Sequence, residues 1–505
     1  MTITSYGTGA YRAAKPNEFV SSRSQFDDLQ RQLVTKKRSE TYGNLGIERR
    51  TSLDVASKLS SIESWLSGIQ LGTVNVDLQT KAVESYAKMT AESRNDMRSN
   101  TYVPSASGRS SPQTLAEEKF KQTIDLLSTE VNGRYLFSGR TSDVNPVASY
   151  SEIMNGDGAG RDGLSTLIAQ RKQADVGVAG LGRLLLGGAA GTPNATITED
   201  STVYGLKLAG ATSSSAAITA TLNAGPPKEI ALTVASQPAV GDVIRIKFDL
   251  PDGTQHEIEL KAAAPGATPQ PGKTFEIGAD ANATAAALRA TIGQAVATEA
   301  ATILPSASAM ATAKNFFAAT DANPPLRVPG PPYDTATVAP TPGTAANTVL
   351  WYKGDQGTDP ARTTATVQVD KGQAVAVGAR ANENAFQTGL AAFAVLANET
   401  FPQADPNSQA RYEAMVERAR EKLGFDNTTQ KPAEIITELG TAKSAMAQAK
   451  ERHVATKNQL VSLADSIENV STEEVATQIL ALQNTLQASY QVTSILSKLS
   501  LTNYL

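Results

Sequence analysis

The stretch that decides the fold is residues 55–90, VASKLSSIESWLSGIQLGTVNVDLQTKAVESYAKMT. Apolar or small residues recur in it at alternating steps of four and three: Val55, Leu59, Ile62, Leu66, Ile69, Thr73, Val76, Thr80, Val83, Ala87 and Thr90. This heptad spacing keeps one stripe of a helix facing a partner helix. Gly68 and Gly72 each lower helix stability by up to about 1 kcal/mol relative to alanine. We therefore expect packing against a partner to offset that cost.

The C-terminal part carries a matching stripe. A helix is predicted to begin at Pro432, and its seam positions again alternate by four and three: Ile435, Leu439, Ala442, Met446, Ala449, His453, Thr456, Leu460, Leu463 and Ile467. A last helical segment carries Val475, Ile479, Leu482 and Leu486, followed by Leu496 and Leu499. Helices with so narrow a stripe need partners, so the two ends of the chain are expected to pair. The expected contact joins Leu59, Ile62, Leu66 and Ile69 to Ala442, Met446 and Ala449.

Another long helix is predicted to start near Pro112. Ser111 is suited to cap it, and proline is favoured at the first helical position. Phe120, Leu127 and Val131 are expected on its inner face. Asn132-Gly133 is interpreted as the pair that ends it.

The middle of the chain has a different pattern. Between about residues 177 and 378, Ala, Thr, Gly and Pro dominate and the heptads disappear. Alternating apolar residues over 244–250 and 256–260, joined by Pro251-Asp252-Gly253, predict a β-hairpin. A helix is expected over 285–298, with Leu288, Ile292 and Val296 on one face.

These patterns define the predicted fold class, α+β. A long antiparallel, coiled-coil-like helical rod is built from both termini, with an inserted β-rich middle domain. Residues 1–50 and 467–505 are predicted to form terminal assembly helices, and residues 51–178 and 379–466 the helical rod with short β segments. Residues 179–378 are predicted to form a variable α+β insertion that faces outward. Deletion of about residues 193–340 is expected to leave a folded helical rod.

Composition excludes several kinds of site. The chain has no cysteine, which rules out disulfides, zinc–thiolate sites and cysteine nucleophiles. A net charge of −4 argues against a nucleic-acid partner. The longest apolar run, residues 390–397, is too short to span a bilayer, so no membrane insertion is expected. The N-terminus lacks the pattern of a cleavable secretory signal.

No catalytic, cofactor or metal site is predicted. The two histidines, His256 and His453, fall on an apolar strand face and on the C-terminal stripe, where packing roles are expected. Residues 158–163 match the spacing of a dinucleotide-binding loop, but a polar loop precedes them instead of a buried strand. We predict a loop before a helix over 164–173.

Several segments resemble the flagellin family of bacterial flagellar proteins, and within it the hook–filament junction proteins, the hook-associated proteins of the L type. The motif Asn132-Gly133-Arg134-Tyr135-Leu136-Phe137-Ser138-Gly139 is similar to the one that ends their second long helix. Residues 32–38, the end of the chain from Ile467 to Leu505, and Tyr352-Lys353-Gly354-Asp355 also resemble family segments. Residues 43–47 depart from the common filament pattern, which favours the junction protein. Together the similar parts cover roughly residues 1–180 and 345–505.

The resemblance implies a structural role outside the cell, and no enzymatic one. It implies export through the flagellar type III channel without a cleavable signal peptide, and no cofactor. The implied partners are further copies in a ring or helical assembly, flagellin, the adjacent hook-associated protein and a flagellar export chaperone. The candidate site is then an assembly seam: Val55, Leu59, Ile62, Leu66, Ile69, Val76, Leu439, Met446, Leu460, Val475, Ile479, Leu482, Leu486, Leu496 and Leu499.

Two alternatives stay open. The chain could be a filament flagellin, which differs in its place of assembly. More remotely, it could be a surface adhesin or ligand-binding protein on a helical stalk. The insertion concentrates neither titratable nor aromatic residues, which disfavours the second alternative.

Overall fold

The chain forms a mixed helical and β fold with a β-rich middle, as predicted. The computed structural model describes the backbone of residues 8–99, 101–103 and 108–502, and the side chains of residues 20–98, 101–103 and 108–495. There are two compact units. The first contains residues up to Thr73, Val367–Val375, and residues from Ser444 onward; the second contains Val74–Thr366 and Ala376–Lys443. Two of the four boundaries between these units fall inside long helices, whereas the predicted three-part division placed its boundaries elsewhere.

Helices dominate both ends. Those before the β-rich middle are α1 (Thr8–Thr35), α2 (Arg49–Ser99), α3 (Ser111–Leu127), α4 (Tyr150–Asn155) and α5 (Leu164–Val176). The helices that follow the start of the β-rich middle are α6 (Ala281–Ala301), α7 (Ile303–Ala318), α8 (Asn384–Asn398), α9 (Ser408–Lys422), α10 (Pro432–Glu468) and α11 (Thr472–Thr502). Short 3-10 helices cover Tyr42–Glu48 and Ala361–Thr364. The stretch quoted at the outset therefore lies within a single helix of 51 residues, as its heptads predicted.

Two four-stranded sheets form the β-rich middle in the second unit. One has the order β3 (Leu184–Gly187), β4 (Asn194–Glu199), β7 (Glu229–Val234), β6 (Ile218–Asn223), and all its pairs are antiparallel. The other has the order β10 (Thr274–Glu276), β9 (Gln255–Ala263), β8 (Val243–Asp249), β5 (Lys207–Ser213). The predicted hairpin is β8–β9, in which Ile246 pairs with Ile258. The predicted helix is α6, whose Leu288, Ile292 and Val296 are buried in the same core as both sheets.

Asn132-Gly133 does not end a helix, so that prediction was wrong. Helix α3 stops at Leu127, and Ser110 rather than Ser111 is its N-cap. Asn132 and Gly133 instead form the turn between β1 (Glu130–Val131) and β2 (Arg134–Tyr135), and both have positive φ, 51° and 75°. An Asn-Gly pair with two positive φ angles suits the twist of a two-residue hairpin turn.

Helix α7 lies within the predicted insertion but belongs to the helical core of the second unit. It packs against α5, α8 and α9. Its Phe317 ring stands edge-on to Phe120 of α3 and to Trp351, at centroid distances of 6.0 and 5.3 Å. The Trp351 indole N–H donates to the Phe317 carbonyl at 2.9 Å. The insertion therefore contributes structure to the helical core as well as to the two sheets and α6, residues 184–301, which we call the β domain.

Candidate assembly interface

The seam positions of α2 divide into two classes. Every seventh residue is buried: Val55, Ile62 and Ile69 in the first unit, and Val76 and Val83 in the second. The intervening Leu59 and Leu66 are only half-buried. The seven-residue row is therefore the line along which α2 faces its partners, and Leu59 and Leu66 lie at the margin of that contact.

In the first unit, α2 and α10 pack antiparallel. Ser52 donates to Glu468, Lys457 Nζ lies 2.9 Å from Glu63 Oε1, and the Trp65 and His453 rings are 5.1 Å apart. Residue numbers rise along α2 while those of their partners fall along α10, so the two helices run in opposite directions. Met446 lies beside Gly72, one helical turn beyond Ile69, the last residue of the expected Leu59–Ile69 stretch.

Most predicted seam residues of α10 are buried. Leu439 is buried in the second unit, and Met446 and Ala449 are buried in the first. Nearer the end of the helix, Leu460 is half-buried, whereas Thr456 and Leu463 are exposed and Ile467 is buried again. Burial of the stripe is thus densest in the first half of α10.

A hairpin that the sequence analysis did not identify packs on this helix pair. It consists of β13 (Thr366–Asp370) and β14 (Gln373–Ala376) and follows a two-residue antiparallel ladder of β11 (Leu326–Arg327) and β12 (Thr341–Pro342) in the chain. A Cβ atom added at Gly72 would lie 2.5 Å from Val367 Cγ2 and 3.2 Å from Met446 Sδ. The glycine therefore leaves room for the hairpin on α2. The alternation Val367, Val369 and the Lys371-Gly372 turn were the signals that could have revealed it.

His453 has the packing role that was expected. Its ring is buried on the seam, and Nε2 lies 2.6 Å from the Val369 carbonyl, so the nitrogen donates its proton there. The Asp370 carboxylate is 4.0 Å away. The other histidine, His256, is half-buried with Nε2 3.1 Å from Glu299.

The first and last helices, α1 and α11, pack against each other in the first unit. Where α1 ends, Lys37 forms a β-bridge with Asn469, and Arg38 N–H donates to the Glu468 carbonyl at 2.7 Å. Of the predicted seam residues, Val475 is buried and Ile479, Leu482 and Leu486 are half-buried. The side chains of Leu496 and Leu499 lie outside the described residues.

Large apolar side chains remain exposed on these two helices. Val34 of α1 is 83% exposed and Tyr490 of α11 is 59% exposed. Val20, Leu480, Val492 and Ile495 are exposed as well. A single copy therefore leaves an apolar surface on its terminal helices, the kind of surface that marks interaction sites.

The motif of residues 132–137 packs in the second unit. Asn132, Gly133 and Arg134 are exposed, Tyr135 is half-buried, and Leu136 and Phe137 are buried. Gln79 of α2 donates to the Leu136 carbonyl at 3.0 Å. The Phe137 ring stands edge-on to Phe386 of α8, 5.8 Å away. Leu136 and Phe137 thus connect the turn to α2 and α8.

The glycine-rich residues 158–163 form a loop, as predicted, and Asp157 holds it. Its carboxylate accepts from the backbone N–H groups of Ala159 and Arg161 and from Arg161 Nε at 2.7 Å. These hydrogen bonds lower the pKa of Asp157 to about 2. The preceding residues are not a polar loop as expected but helix α4, because Ser149 caps it by accepting from Glu152 N–H.

No protein-family model and no curated protein matches this chain. Among the described residues, no group of three or more histidine or acidic side chains is arranged to hold a metal ion. None of the described helices is both long and apolar enough to cross a membrane.

Proposed function

We propose that this chain is a structural subunit of the bacterial flagellum, located outside the cell. We further propose that it belongs to the flagellin family and joins hook to filament. The observation that carries the proposal is the pairing of segments from opposite ends of the sequence, α1 with α11 and α2 with α10. Such pairing is what a subunit needs if both of its termini form one rod.

The exposed apolar residues of the terminal helices support self-association. Ordering each residue of a helix costs about 1–2 kcal/mol of conformational entropy. In a monomer, the exposed Val34 and Tyr490 side chains offset little of this cost, because they bury little apolar surface. Burial of the same side chains by neighbouring copies stabilises them by roughly 25 cal/mol for each Å² of apolar surface. Every copy would make the same head-to-tail contact, so a ring or a helical array results.

The local sequence supports the junction over the filament. The 132–137 motif is built into the contact of α2 with α8 through Gln79 and Phe386. Flagellin on one side and the adjacent hook-associated protein on the other are the proposed neighbours, and an export chaperone the proposed partner before assembly. The proposed role is mechanical rather than enzymatic.

Immunogold labelling of intact flagella tests the proposal. An epitope tag placed after Gly191, in an exposed loop of the β domain, leaves the terminal helices unaltered. Label confined to the boundary between hook and filament is the expected result. Label along the whole filament would identify a filament flagellin instead, and label on the cell surface without flagella would contradict both.

A further inference from the structure

The β domain carries an arginine whose charge has no acidic partner among the described side chains. Arg289 of α6 is half-buried, and its Nη1 donates to the carbonyls of Thr192 and Asn194 at 3.3 and 2.5 Å. No carboxylate of the described residues forms an ion pair with it. The two neutral carbonyls fix the guanidinium in position, and a guanidinium offers five N–H donors in a planar fork that matches a carboxylate.

A small cavity lies beside this arginine. Its volume is about 130 Å³, and its walls are Leu186, Gly187, Gly188, Ala195, Thr196, Arg289 and Ile292. Gly188 has a φ of 111°, and a Cβ atom there would collide with the Asn194 carbonyl and approach Arg289. The absence of a side chain at this position keeps the cavity open next to the guanidinium.

The cavity adjoins an unpaired strand edge. β3 is the first strand of its sheet, pairs with β4 on one side and with no described strand on the other. Leu185 at its centre is 58% exposed. An unpaired edge presents N–H and C=O groups to which an extended chain can add as a further strand.

We propose that the β3 edge and the cavity together bind an extended, acidic peptide segment of a partner protein. The segment adds to the sheet along Leu184–Gly187, and one of its carboxylates enters the cavity to accept hydrogen bonds from Arg289. Successive side chains of a strand point to opposite faces. An alternating sequence therefore fits, with apolar residues on the Leu185 face and acidic residues on the Arg289 face. This inference is independent of the proposed function.

Fluorescence anisotropy with the full-length chain tests the charge requirement. The probe is a labelled octapeptide that alternates valine and glutamate, and its matched control has glutamine in place of every glutamate. We expect the glutamate peptide to bind at least tenfold more tightly. Equal affinity of the two peptides, or no binding of either at millimolar concentration, would overturn the proposal without any need for a mutant.

Variants then assign the site. Arg289→Gln should weaken binding of the glutamate peptide at least tenfold, and Arg289→Lys, which keeps the charge without the fork, should give an intermediate loss. Arg245→Gln removes an exposed arginine that already pairs with Glu259, so it should leave the affinity unchanged. An equal loss in Arg245→Gln and Arg289→Gln would mean that binding depends on net charge alone.

Hydrogen exchange tests the strand addition. On the unmodified chain, the glutamate peptide should slow exchange of the backbone amides in Leu184–Gly187, while the edge strand β6 of the same sheet stays unchanged. Slowed exchange at β6 with none at β3 would refute the proposed edge.

Discussion

Gly72 shows how a residue unfavourable to helices can be required by packing. Alanine would improve the helix propensity of α2 by about 1 kcal/mol. Its Cβ, however, would meet the branched Val367 side chain at 2.5 Å, and overpacking of this kind typically costs about 1–3 kcal/mol. We therefore expect Gly72→Ala to destabilise the first unit by about 1 kcal/mol, measured by urea unfolding.

Gly68, one turn earlier in the same helix, provides the matched control. Its added Cβ would find its nearest neighbour, the Gln368 carbonyl oxygen, at an ordinary 3.9 Å. Gly68→Ala should therefore raise stability by up to about 1 kcal/mol. If both substitutions stabilise the chain, the hairpin does not pack on α2 as described.

The buried and exposed faces of α2 lead to a second prediction for single residues. Ile69 is fully buried, and truncation of a buried isoleucine to alanine usually costs about 2–5 kcal/mol. Leu71, two positions away on α2, is 54% exposed, and its truncation should change stability by less than about 0.5 kcal/mol. Thermal melting of Ile69→Ala and Leu71→Ala compares them directly, and equal shifts would mean that the buried face of α2 is misassigned.

Among the elements, the loop that follows Asp157 gives a pH-dependent prediction. Because its hydrogen bonds lower the pKa of Asp157 to about 2 in the folded protein, against about 3.9 for a free aspartate, the ionised form stabilises the loop. That contribution is complete above about pH 4 and is lost as the pH falls toward 2. Asp157→Asn should lower the melting temperature at pH 6, and the difference from wild type should shrink as the pH approaches 2.

Asp321→Asn, at an exposed loop aspartate, controls for the loss of one negative charge. It should leave the melting temperature unchanged from pH 6 downward. A difference between wild type and Asp157→Asn that stays constant with pH would show that the carboxylate does not hold the loop through its charge.

Elements in which apolar residues recur at a regular spacing were predictable from sequence. Elements that depend on a turn or on packing against distant residues were not. The heptads placed α2 and α10, and strict alternation placed β8–β9, because each period maps onto one buried face. Asn132-Gly133 was misread because the pair also occurs where helices end, whereas its hairpin geometry depends on the flanking strand residues. The register of α2 on α10 depends on contacts between particular side chains, such as Trp65 with His453 and Glu63 with Lys457, which heptad spacing alone does not specify.

For the whole molecule, the structure changes the expectation for the insertion. A deletion of residues 193–340 was expected to leave the helical part intact, but it removes α7, whose Phe317 packs on Phe120 and Trp351. We therefore expect this deletion to abolish the near-ultraviolet circular dichroism of the aromatic cluster and to lower the helix content. A deletion of residues 184–301 should keep that signal, because Gly182 already lies beside Leu304 and a short linker can join the ends. Loss of the signal in both deletions would mean that the β domain itself is needed to hold the cluster.

The final prediction separates assembly from a role as a free protein. The described part of α11 packs in the first unit, whereas the second unit contains no residue beyond Lys443. Removal of Val475–Leu505 should therefore leave the second unit folded and soluble, with the aromatic signal of Trp351 preserved.

If the chain joins hook to filament through its terminal helices, the same truncation abolishes incorporation, and cells shed flagellin into the medium instead of extending filaments. Full-length protein expressed in the same strain controls for secretion and should restore the filaments. Normal filaments on cells that carry only the truncated chain would refute the assembly role of α11, since its exposed Leu480, Val492 and Ile495 would then not be needed for the joint.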